Sequence, residues 1–269
     1  MTFKKRKSGL TVVELLVVIG IIAVVVAISL PAFNAMQKSF DSTGAEGMIS
    51  AALSTARTLA ISRQQYVGVR FQTSYDPADV LDEEQYMIFV IYDADKTDWV
   101  CGFRAIEGYK PMKLPSNIGV IDKLLRSTRE EKTCNDNSPY TEKDLASFDN
   151  VYNADIVDTT TFSIVFSPAG KLVIHEVRCR NKDKALNDSS TDTVFNTKNN
   201  IVADPPTGMF VEDYKTDGDG LGVERSRKQF YIYDREKLRK ITDNSDRWDY
   251  IYYLPALYIN PYTGGIIEK

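Results

Sequence analysis

Ser8-Gly9-Leu10-Thr11-Val12-Val13-Glu14 opens a run of apolar sequence that continues to Leu30, and four cations, Lys4, Lys5, Arg6 and Lys7, stand just before it. From Leu10 to Leu30 the run is 21 residues long. At a rise of about 1.5 Å per residue it spans about 31 Å, enough for the hydrocarbon core of a bilayer. Its fifth residue is an acid. An ionisable side chain inside hydrocarbon costs roughly 2.5–3.5 kcal/mol on insertion scales, so Glu14 demands a functional reason. A secretory signal has a shorter apolar core with its cleavage site after it, whereas here the small residue Gly9 precedes the run. The basic cluster holds the N-terminus on the cytoplasmic side, which places everything after the helix outside the cytoplasm.

The chemistry of the acid follows from that arrangement. Cleavage after Gly9 would give Leu10 a free α-ammonium group four residues before Glu14. In a lateral assembly the ammonium of one copy could neutralise Glu14 of the next, and a paired buried carboxylate is tolerable where an unpaired one is not. The coincidence of the basic leader, Gly9, the apolar run and Glu14 resembles the type IV prepilin signal of pilins, competence pilins and type II secretion pseudopilins. The resemblance implies cleavage by a prepilin peptidase and N-methylation of Leu10, which stands where that family most often has Phe. It also implies partners: the peptidase, other pilin or pseudopilin subunits and an inner-membrane assembly platform. The competing reading is a membrane-anchored binding or enzymatic domain that retains residues 1–9.

Beyond the run, Pro31 removes a backbone donor and is expected to kink the helix there. Helical sequence then resumes. Ala35, Met36, Ala45, Met48, Ile49, Ala52, Leu53, Ala56, Leu59 and Ala60 recur at spacings of three and four, with Arg57 and Arg63 expected to face away. Gly44 and Gly47 weaken the helix by up to about 1 kcal/mol each. One helix is therefore expected from about Leu10 to Arg63, its second half packed on a sheet.

The sheet signals follow in order: Tyr66–Phe71, Gln85–Tyr92, a hairpin tip over 93–98, Trp99–Phe103 and a short strand within 112–122. Residues 126–160 read as a polar inserted loop with room for a short helix. Thr161–Phe166 runs into the turn Ser167-Pro168-Ala169-Gly170, and Lys171–Val177 is expected to return as its partner. Here a second resemblance enters. Ala56, Arg57, Ala60, Ile61 and Arg63, then Val67, Val69 and Phe71, then Phe166, Ser167, Pro168 and Gly170 are similar to the GspH/FimT group of minor pseudopilins and pilins. That group packs its helix on antiparallel sheets. Residues 181–200 read as an exposed loop, Gln229–Tyr233 as a strand, Arg235–Ile241 as a short helix, and Ile251–Leu254 with Leu257–Gly265 as aromatic β-type sequence.

The expected class is thus α+β, a long helix on an antiparallel head. The expected organisation is a leader 1–9, a membrane or filament-core helix 10–30, an amphipathic continuation 31–65 and a head 66–269. The whole chain carries a formal charge of −4, so losing the four cations of the leader leaves −8. Such an acidic head is a poor general binder of phosphate backbones, and no nucleic-acid partner is expected. The head is expected in the periplasm, where Cys101, Cys134 and Cys179 would give one disulfide and one thiol, the pair left open.

No catalytic constellation emerges, and an enzymatic role is not expected. His175 is the single histidine, so a His-rich metal site has no second imidazole to draw on, and a structural role is expected for it. Nucleotide-binding glycine loops are missing from the sequence. The cofactor candidate is calcium: counted from Asp213, acids at loop positions 1 and 5 (Asp217), Gly218 at 6, Asp219 at 7 and Glu224 at 12 follow EF-hand spacing. Lys215 occupies position 3, where a ligand belongs, and a surface turn is the alternative. Asp93, Asp95 and Asp98 read as a hairpin turn.

Overall fold

Ala45, Ile49, Ala52, Leu53, Ala56 and Ala60 form one buried stripe along a helix, as their spacing requires. The structure, a computed structural model, describes residues 12–73, 81, 84–93, 102–106, 108–126, 142–144, 149–152, 156, 159–177 and 224–268. At 14, 23–42, 93, 102, 104, 125–126, 142–144, 176, 224 and 268 the backbone alone is described. Helix α1 runs Val12–Arg63. It stops in a Schellman arrangement: Gln64 takes the left-handed conformation at φ 53°, and the Gln65 N–H donates to the Ala60 carbonyl at 3.3 Å. Gln64 Nε2 donates to the Ile61 carbonyl at 2.7 Å, occupying another of the helix's last acceptors.

The strands in chain order are β1 Val67–Thr73, β2 Gln85–Asp93, β3 Gly102–Ala105, β4 Met112–Lys113, β5 Ile118–Ile121, β6 Leu124–Arg126 and β7 Glu142–Asp144. They continue as β8 Phe162–Phe166, β9 Leu172–Val173, β10 Glu176–Val177, β11 Glu224–Arg225, β12 Gln229–Asp234, β13 Ala256–Ile259 and β14 Ile266–Glu268. The first sheet has the order β3-β2-β1-β8-β9, with β4 also on β2, and the second has the order β14-β13-β12-β5. β6–β7 and β10–β11 are separate two-stranded ladders, and among the described residues every pairing is antiparallel. Two short helices, α2 Arg235–Lys240 and α3 Asn244–Tyr252, follow β12. Each begins on an aspartate. Asp234 accepts from the Lys237 N–H, and Asp243 accepts from those of Ser245 and Asp246, the preferred way to satisfy the first donors of a helix.

The chain divides into two compact units, Met1–Thr43 and Gly44–Lys269. In the second, period-two alternation sets the core. Val67, Val69 and Phe71 stand opposite Ile91, Phe89 and Met87 on one side and Phe166, Ile164 and Phe162 on the other. That face meets the helix stripe and, from the second sheet, Val120, Phe230, Leu257 and Ile259. Phe71 stacks on Phe162 with ring centroids 4.8 Å apart. The opposite face of the first sheet buries Tyr86, Ile88, Val90, Phe103, Ala105, Val165 and Val177. A third cluster gathers Ile121, Val151, Ile156, Tyr233, Leu238 and Ile251.

The α+β class with antiparallel sheets is therefore present. Five local readings change. Arg57 does not face away: it is half-buried, and its Nε donates to the Gly170 carbonyl at 2.9 Å. Lys171–Val177 is not one return strand. β9 leaves β8 after Val173, and β10 pairs instead with β11, because Ser226 Oγ takes the His175 N–H at 2.8 Å and donates to the Val173 carbonyl at 2.7 Å. Ile251 and Tyr252 close α3 rather than open a strand, since the Asp243 cap and the burial of Ile251 outweigh the β-propensity of the aromatics. The polar segment 126–160 contributes β7 and the buried Val151, Ile156, Thr159 and Thr160. Met48, counted in the stripe, is 37% exposed.

Candidate functional site

Along Val12–Ile22 the apolar side chains surround α1. Val12, Val13, Leu15, Leu16, Val17, Val18, Ile19, Ile21 and Ile22 are all exposed, between 45% and 74%. A helix that is hydrophobic all round is stable only when something apolar covers it, either lipid or other helices. Of the residues singled out for processing and assembly, Gly9 and Leu10 lie outside the described residues. Glu14 and Pro31 lie within the helical backbone of α1, their side chains outside the description. Among the described residues no helix is long and apolar enough to cross a membrane; the side chains of 23–30, which complete the expected span, are not among them.

In the Gly44–Lys269 unit, the distant segments Ala56–Arg63 and Phe166–Gly170 meet. Arg57 Nε holds the Gly170 carbonyl, and the Gly170 α-carbon lies so close to Ile61 that an added Cβ would stand 2.6 Å from Ile61 Cδ1. The turn between β13 and β14 reaches the same place: a Cβ on Gly264 would meet Phe166 Cζ at 3.2 Å and Arg57 Cδ at 3.5 Å. The Leu172 N–H joins the two turns by donating to the Pro261 carbonyl at 2.8 Å. One helical turn thus fastens a turn from each sheet. Sequence reasoning identified the residues of this junction but gave Arg57 to solvent; a cation beside Ala56 and Ala60 could have been read as a helix–turn bridge.

Buried charge forms a second locus that the sequence did not announce. Arg227, 5% exposed, donates from Nε to Asp122 Oδ2 at 2.6 Å and from Nη1 to the Arg225 carbonyl at 2.6 Å. Beside it Lys123, at φ 61°, donates from Nζ to the carbonyls of Tyr252 at 2.9 Å and Leu254 at 3.1 Å, and lies 3.8 Å from the Tyr231 ring centroid. Asp122, Lys123, Arg225, Arg227 and Tyr231 line a cleft of about 370 Å³ with Ile174, Ser226 and Gln229. Asp122, Lys123 and Arg227 are thus engaged by the protein itself, so the cleft works as a joint between β5–β6, β12 and the end of α3. Burial pushes the Tyr233 hydroxyl up to about 12, opposed by the Arg235 charge.

Of the calcium candidates, Asp213, Asp217 and Asp219 lie outside the described residues. Glu224 opens strand β11 opposite Val177, where an EF-hand would begin a helix. Among the described residues no group of three or more His, Cys, Asp and Glu side chains could hold a metal ion. Cys101, Cys134 and Cys179 also lie outside the description. His175 is ringed by Tyr66, Tyr92 and Phe103, at 4.7, 5.6 and 5.6 Å between centroids, so the structural role expected of it is the one its packing supports.

Comparison with known families finds one match, the prokaryotic N-terminal methylation motif, over residues 4–30. This supports a type IV prepilin-like precursor, processed by a prepilin peptidase and assembled with other subunits of that general kind. No curated protein and no solved structure matches the chain.

Proposed function

We propose that this chain is a non-enzymatic structural subunit of a type IV pilus or a type II secretion pseudopilus, and a minor one. The observation that carries the reading is the methylation motif at residues 4–30, which contains Gly9, Leu10 and Glu14 and overlaps the Val12–Ile22 part of α1, whose described apolar side chains are exposed on all sides. The precursor would sit in the inner membrane with its N-terminus cytoplasmic and its head periplasmic. A prepilin peptidase would cut between Gly9 and Leu10 and methylate Leu10. Extraction into a filament would then cover the apolar helix with those of neighbours, with Glu14 meeting a neighbour's amino terminus. Pro31 would set the bend between the filament-core half and the head-bearing half. The GspH/FimT-like reading is supported by the contact between the Ala56–Arg63 and Phe166–Gly170 motifs. The additions to the head near 126–160 and beyond 180 depart from that group and instead support a minor subunit, which is less crowded than the bulk of a filament.

The test is the intact mass and N-terminal sequence of the chain made with and without a prepilin peptidase. The expected product begins at methylated Leu10 only when the peptidase is present, and Glu14→Ala is cleaved and folded but absent from filaments. A chain that still begins at Met1 beside an active peptidase would sink the proposal in favour of an anchored head domain. Recovery of the chain as the bulk species of purified filaments would sink the minor-subunit assignment alone.

A further inference from the structure

Helix α3 ends in a ladder of three rings. Trp248 and Tyr252 stack at 4.7 Å with 18° between planes, and Tyr253 meets Tyr252 edge-on at 5.2 Å and 88°. Tyr252 is 44% exposed and Tyr253 78% exposed, the highest value among the described large apolar and aromatic side chains. Asp249 lies one helical turn before both tyrosines, and Asp246 one turn before Asp249, so the spacing puts the carboxylates on the ring face. Both are exposed. The other side of α3 is used up by the fold: Ile251 is buried, the Tyr250 hydroxyl donates to the Asp234 carbonyl at 3.5 Å and accepts from its N–H at 2.9 Å, and Arg247 Nε donates to the Ile241 carbonyl at 2.8 Å.

We infer that this face is a docking surface for a lysine- or arginine-bearing segment of another protein. Exposed aromatic rings carry a negative face that attracts a cation, and they supply contact area at little conformational cost. Carboxylates beside the rings add Coulomb attraction for that same cation, and they make the patch unsuitable for an anionic partner or a purely apolar one, which would strip their water without replacing it. The inference concerns the head alone and does not depend on the chain entering a filament.

The test is fluorescence anisotropy of a labelled, end-blocked peptide of alternating lysine and glycine, titrated with the whole protein in detergent. Its glutamate counterpart and a neutral glucose hexasaccharide serve as comparison probes. Saturable binding of the lysine peptide is expected, weakened by salt. Replacing both rings, Tyr252→Ser with Tyr253→Ser, should weaken it by about tenfold, and Asp249→Asn by about threefold. Tyr262→Ser, at another exposed tyrosine (67%), should leave it unchanged. Unchanged far-ultraviolet circular dichroism would show that the variants fold. Three results would overturn the inference: no saturation by the lysine peptide, equal binding of the glutamate peptide or the hexasaccharide, or full affinity in the double tyrosine variant.

Discussion

Replacing Gly170 by alanine should destabilise the Gly44–Lys269 unit by about 1.5–3.5 kcal/mol, from two separable sources. Gly170 holds φ +72°, a conformation in which a Cβ costs roughly 1–2 kcal/mol. The new Cβ would also fall 2.6 Å from Ile61 Cδ1 and 2.9 Å from Cγ1. Ile61 is 39% exposed, so its side chain can yield, at about 0.5–1.5 kcal/mol for leaving its rotamer. For a unit of this size the sum lowers Tm by about 4–10 °C. The assay is urea unfolding and thermal melting of the processed protein in detergent, read by circular dichroism. A mutant cycle with Ile61→Ala separates the terms. Without Ile61, only the backbone term should remain, leaving a coupling of about 0.5–1.5 kcal/mol. Gly47→Ala is the control: a Cβ there meets nothing within 4 Å, and the change should stabilise by roughly 0.4–1 kcal/mol. If Gly170→Ala behaved like Gly47→Ala, or cost the same with and without Ile61, the account of the helix–turn junction would be refuted.

Three further outcomes are expected. Gly119→Ala would drive a Cβ to 2.2–2.5 Å from the ring and hydroxyl of Tyr233, its cross-strand partner; that ring is buried and cannot swing out, so the loss should exceed about 2 kcal/mol in the same unfolding assay. Breaking the buried pair by Asp122→Ala should cost about 3–5 kcal/mol, because Arg227 would keep its charge at a buried position without its counterion. Asp122→Leu combined with Arg227→Met should cost far less, and equal losses in the two variants would contradict that reasoning. Tyr233 links stability to alkaline pH. Its hydroxyl titrates near 12 when folded, against 10 in the unfolded chain, so the unfolded state loses its proton first. The contribution is complete below pH 10 and is lost between about pH 10 and 12, by roughly 1.4 kcal/mol per pH unit. Denaturant unfolding at pH 9 and pH 11 should show this fall, and Tyr233→Phe should remove the part due to this residue.

Much of the fold was legible because it is written in periods. The three-and-four spacing of Ala45 to Ala60 marked the helix face, and Val67-x-Val69-x-Phe71 and Phe162-x-Ile164-x-Phe166 marked strands that share its core. Local signals fail where a neighbour decides. Ile251-Tyr252-Tyr253-Leu254 has β-type composition, yet Asp243 caps a helix through it and Ile251 finds a core on its inner side. Lys171–Val177 alternates like one strand, but the hydroxyl of Ser226, some fifty residues on, splits it between two sheets.

By itself, then, the sequence determined the N-terminal motif: the basic leader, Gly9, Glu14 and the apolar run depend on local order along the chain, and the match over residues 4–30 rests on nothing else. Alternation and helical spacing likewise determined the α+β class. Only the tertiary structure decided which polar side chains are structural. Arg57 and Gly170 are 113 residues apart, and Asp122 and Arg227 are 105 apart. No local pattern reveals such partners, because a charge leaves solvent only when the folded backbone brings its counterpart within hydrogen-bonding reach.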